Sequence, residues 1–111
     1  MDNPREDQVF IALEIRDQVD HESAPATTGE FTAETIIINN GLDQTVTIQL
    51  QGSRDKTTWI DVGPVFNVPA ATNDYDTVTD YFPFYQIVAS CGADPSSGAL
   101  DAWILKAKGA R

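Results

Sequence analysis

The stretch Thr45-Val46-Thr47-Ile48-Gln49-Leu50-Gln51 decides the fold class. Val46, Ile48 and Leu50 alternate with Thr45, Thr47, Gln49 and Gln51, so one face is apolar and the other polar, the period of a half-buried β-strand. Threonine suits the solvent face because its branched side chain packs on the pleat. The same period recurs in both directions. Upstream, Val9, Ile11, Leu13 and Ile15 alternate with Phe10, Ala12, Glu14 and Arg16, and Ile36-Ile37-Ile38 reads as a shorter, more buried strand. Downstream, Tyr85-Gln86-Ile87-Val88-Ala89 is another, and Leu100, Ala102 and Ile104 alternate with Asp101, Trp103 and Leu105. Both faces of that last strand carry apolar groups, which predicts a strand that is central or covered on its outer side.

Turn residues separate these runs. Asn39-Asn40-Gly41 tolerates positive φ and predicts a hairpin between its flanking strands. Gly52-Ser53-Arg54-Asp55 ends one strand before Thr57-Thr58-Trp59-Ile60, and Gly63-Pro64, Pro69-Ala70-Ala71, Pro83 and Pro95-Ser96-Ser97-Gly98 punctuate the rest. No run carries a helical stripe of ten or more residues. Seven or eight short antiparallel strands predict an all-β protein, a single β-sandwich of immunoglobulin-like or jelly-roll-like kind, because each sheet must cover its apolar face with a second layer. Residues 1–34 form an acidic N-terminal strand or arm with a polar loop, and residues 35–111 the sandwich body, one domain in all.

Charge and composition narrow the function. The chain has 111 residues, 41% of them apolar, and a net charge of −10. Nine acids and two bases fall in residues 1–34, against eight and five in 35–111. Such an acidic chain is poorly made for holding phosphate backbones, so no nucleic-acid partner is expected. No apolar run reaches the ~20 residues of a membrane span. The opening Met1-Asp2-Asn3-Pro4-Arg5-Glu6-Asp7 lacks the basic-then-apolar order of a signal peptide, so none is expected. Acid-rich, lysine-poor composition also fits a halophilic source.

The residues offer little catalytic chemistry. His21, the one histidine, lies between Asp20 and Glu22 in the polar loop and reads as a solvated side chain. Cys91 has no neighbouring Lys or Arg in sequence to activate it and reads as a small hydrophobe. Asp74, Asp76 and Asp80 are metal candidates because three carboxylates from one loop suit calcium, but Val78 stands where a calcium loop needs an oxygen ligand and the loop glycine is absent. No cofactor is expected. The aromatics are the other candidates. Trp59 and Trp103 plug the core or a subunit contact, or stack on sugars, while Tyr81-Phe82-Pro83-Phe84-Tyr85 is dense enough for a contact patch. Interface candidates are therefore Trp103, Leu105, Tyr81, Phe82, Phe84 and Tyr85.

The segment from Thr35 to Lys106 resembles the small β-sandwich virion modules of tailed viruses and prophages. It carries a strand and Asn-rich turn (Ile36 to Gly41), a Thr/Val strand (Thr45 to Leu50) and a turn of the Gly-Ser-x-Asp-Gly-x-x-Trp type (Gly52 to Trp59). Val68-Pro69-Ala70, Pro83-Phe84-Tyr85-Gln86-Ile87-Val88 and Ser97-Gly98-Ala99-Leu100-Asp101-Ala102-Trp103 follow in the same order. Lys56 replaces the usual turn glycine, and Gln86 stands where a basic residue is common. The resemblance implies a non-enzymatic head decoration, turret, neck or tail component. It would assemble with itself as a homo-oligomer and with other virion proteins, and would be soluble in the host cytoplasm before incorporation. A carbohydrate- or cell-surface-binding module is the alternative, with glycan contact as its mark.

Overall fold

The computed structural model describes residues 6–28, 33–78 and 82–107. Its nine strands are β1 (Glu6–Leu13), β2 (His21–Glu22), β3 (Ala26–Thr27), β4 (Ala33–Asn40), β5 (Val46–Ser53), β6 (Ile60–Val68), β7 (Thr72–Val78), β8 (Phe84–Cys91) and β9 (Leu100–Ala107). The first sheet has the order β1-β9-β4-β7, and the second β2-β8-β5-β6 with β3 also on β8. Every pairing is antiparallel. β2 and β3 lie along the same edge of β8, His21 opposite Ala89 and Ala26 opposite Tyr85. Between them the Ser23 hydroxyl accepts the Ile87 N–H at 2.9 Å, and Pro25 has no N–H to give the ladder. Counted as one interrupted strand, they make two four-stranded sheets wound as a jelly roll, the double Greek key of viral capsid and lectin domains.

The core follows from alternation. Val46, Ile48 and Leu50 of β5 face Ile36 and Ile38 of β4 and Leu100, Ala102 and Ile104 of β9 across the sandwich, none more than 3% exposed. Fully burying such a side chain stabilises the fold by roughly 1.5–3 kcal/mol. β9 lies between β1 and β4, a central strand whose inner face joins the core and whose outer face stays apolar.

Three local expectations change. In β1, Val9 and Phe10 are both buried while Ile11 is 71% exposed, because the register to β9 slips between Gln8 and Phe10 and again between Phe10 and Leu13. Ala12 takes φ +48° at the second slip, and each bulge moves later side chains to the other face. Asn39-Asn40-Gly41 makes no hairpin, since β4 and β5 belong to different sheets. The buried Asn40 amide instead donates to Gln44 O, Val68 O and Pro69 O, and its oxygen accepts the Leu42 N–H, so the loop is a cross-sheet brace. Gly63-Pro64 is a bulge inside β6 and not a turn. Ile48 pairs Phe66 but Leu50 pairs Val62, which sets three residues of β6 opposite the single Gln49, where proline needs no ladder partner.

Candidate functional site

Residues directly opposite in an antiparallel ladder project from the same face. With Ile36, Ile38, Ala102 and Ile104 inward, the outer face of the first sheet carries the row Gln8–Trp103–Ile37–Tyr75, one residue from each of its four strands. A second row holds Leu105, Thr35 and Thr77. Trp103, Ile37 and Leu105 are half-buried, and Tyr75 is 68% exposed. Thr35, Ile37, Asn73, Asp74 and Tyr75 line a shallow recess at the β7 side of this face. Glu6 of β1, exposed and opposite Leu105, completes the second row, and it and Tyr75 are the ionisable residues of the two rows. Near the β1 side, Asp101 is already engaged, accepting from Gln8 Nε2 at 3.1 Å and from the Ala12 N–H at 2.8 Å. The centre of the face is therefore apolar and uncharged, with Glu6 and Asp101 toward its β1 side and Asp74 at the β7 recess, in a strongly acidic chain.

Trp103 and Leu105 both project from this outer face. Ile37 was missed as a surface residue, although the middle isoleucine of three in a strand must point away from its neighbours. Among the other candidates, Tyr85 is not a surface group, being 1% exposed in the core. Phe82 packs against that core and meets Tyr85 edge-on, ring centroids 5.9 Å apart. The reason lies on β5, where Gly52 makes room. A Cβ there would come within 2.5 Å of the Phe82 ring. This half of the aromatic segment plugs one end of the sandwich, and Pro83 O ties it to the Thr28 N–H at 2.8 Å. Phe84 is half-buried beneath the Lys56 ammonium, 5.0 Å from its ring centroid. Trp59 is half-buried at the start of β6, and Tyr81 lies outside the described residues.

Asp74 and Asp76 stand on edge strand β7, and Asp80 lies outside the described residues. Asp74 Oδ1 accepts the Tyr75 N–H at 2.8 Å and Asp76 Oδ1 the Thr77 N–H at 2.9 Å. Among the described residues no three His, Cys, Asp or Glu side chains cluster as a metal site. His21 bonds Asp17 at 2.9 Å, and that hydrogen bond holds the Asp17 carboxyl below its usual range. Cys91 is buried, and burial, with Asp17 and Asp43 adding to it, pushes its thiol up and away from thiolate chemistry.

No protein-family model matches the chain, and no curated protein matches it significantly. Solved structures share its fold. The PBSX exported protein XepA superposes with a TM-score of 0.73 at 14% identity, over 100% of this chain and 40% of its own. PirA superposes at 0.57 with 13% identity, over 96% of both chains. The SPBc2 prophage-derived protein YomS superposes at 0.50 with 10% identity, over 92% of this chain and 95% of its own. The chain spans well under half the length of XepA.

Proposed function

We propose that this chain is a non-enzymatic structural protein of a virus particle, assembling as a symmetric oligomer or on the capsid or tail lattice through the outer face of its first sheet. The observation that carries the reading is the apolar, uncharged row Trp103–Ile37–Tyr75 on an open sheet face of a chain with net charge −10. Elsewhere like charges would repel between copies, whereas the centre of this face can be covered without desolvating a carboxylate. A jelly roll supplies a rigid block of the kind viral capsids use, and one protein of this fold is prophage-derived by name. Fold alone does not settle a role, so the interface carries the reading. The site of action would be the virion, with other virion proteins as further partners.

Trp103 reports on the interface. The chain has two tryptophans, so Trp59→Phe leaves Trp103 as the sole reporter. Its emission should shift blue, and acrylamide quenching should fall, as protein concentration rises. Emission and quenching that stay constant from micromolar to millimolar would contradict assembly through this face. Glycan binding is the second reading, favoured by the exposed Tyr75 ring on the same face as Trp103, in a fold that lectins also use. Sugar binding lost in Trp103→Ala with the fold retained would support it.

A further inference from the structure

Glu34 is a buried acid that assembly does not explain. It lies on β4 opposite Val78 of β7 and Lys106 of β9, on the same inward face as Ile36 and Ile38. It is 1% exposed, with the Tyr85 hydroxyl as the hydrogen-bond donor toward its carboxylate. Such a group is costly to ionise where it sits. The groups around it come from four strands. Tyr85 of β8, in the other sheet, and Lys106 of β9 both favour its charged form. On β1, Asp7 holds the Lys106 ammonium at 3.0 Å. On β7, Val78 is apolar and Asp76 lies two residues further along, opposite Ile36. Lys106 also donates to Thr27 O of β3 at 2.9 Å, so it staples the first sheet to the edge of the second.

We propose that Glu34 is an ionisable latch at this end of the jelly roll: uncharged, it lets Lys106 hold Asp7 and Thr27, and charged, it draws Lys106 away and releases β3. Burial dominates and raises the Glu34 pKa from 4.5 to about 7. The native state therefore binds the proton more tightly than the unfolded chain. The Glu34 contribution to stability is greatest below pH 4.5, falls as pH rises toward about 7, and is flat above that. For this group alone the folding equilibrium drops on the order of a hundredfold across the window. The latch needs no assembly, so it stands or falls independently of the proposed function.

The test is carboxyl-detected NMR titration of the intact chain, with amide exchange of Thr28, whose N–H bonds Pro83 O beside β3. Glu34 should titrate near neutral pH. After correction for intrinsic rates, Thr28 protection should fall at least tenfold between pH 5.5 and 8.5 in the wild type and stay level in Glu34→Gln. A Glu34 midpoint near 4.5 would overturn the proposal without any variant. So would a Thr28 response that is absent in the wild type or equal in Glu34→Gln.

Discussion

Lys56 holds φ +65°, a left-handed conformation that L side chains adopt at a cost and glycine adopts freely. The turn around it is built from side chains. Ser53 Oγ accepts the N–H groups of Asp55 and Lys56, and Asp55 Oδ1 accepts those of Thr57 and Thr58. Those bonds, Thr57 foremost, keep the Asp55 carboxyl below its usual range. The serine and aspartate of the turn were legible from sequence, and so was the glycine that is missing. Lys56→Gly and Lys56→Ala both lose the contact with Phe84, so their difference isolates the backbone. The glycine variant should be more stable by about 1 kcal/mol in urea unfolding. Gly98 is under a stricter constraint, with φ +87° and an added Cβ only 1.9 Å from Gly41 O. Gly98→Ala should cost about 3 kcal/mol or more, read as the fall in urea midpoint. The two turn glycines seen separately in the sequence are packing partners, a relation that spacing along the chain does not encode.

At the scale of elements, legibility tracked regularity. β5 and β9 keep an unbroken alternation, and the structure buries the residues that the period selects. β1 has the same apparent period, but its two bulges bury Phe10 and expose Ile11. Nothing in a strict count of two announces a bulge. The acidic segment around β1 also reads as a detachable arm, although Val9, Phe10 and Ile15 belong to the core cluster. Removing residues 1–15 should therefore abolish the cooperative thermal transition, and a sharp transition in the truncated chain would mean that β1 is dispensable. β7 closes the opposite edge of the first sheet. Its aspartates act locally, each covering the N–H of the following residue, which blunts an edge that could otherwise pair with another chain. The double variant Asp74→Ala/Asp76→Ala should scatter light sooner on heating than the wild type. Equal scattering would remove that role.

For the whole molecule, the candidate site was half legible. Trp103 and Leu105 could be assigned to an outer face because β9 is apolar on both sides. Ile37 and Tyr75 could not be joined to them, because the row exists only once β4 and β7 are placed in register. The aromatic segment misled for a related reason: Phe82 packs inward, edge-on to Tyr85, where the distant Gly52 leaves the space. A net charge of −10 opposes association at low ionic strength, and the Debye length shrinks from about 30 Å at 0.01 M salt to about 3 Å at 1 M. An assembly made through the uncharged centre of this face should thus tighten as salt rises, the reverse of one made through ion pairs. The most direct test is solution mass by light scattering after gel filtration, in low salt and in molar salt, for the wild type and Trp103→Glu. The account predicts a discrete closed oligomer for the wild type, strengthened by salt, and a folded monomer for Trp103→Glu in both conditions. A wild-type chain that remains monomeric in both would contradict it.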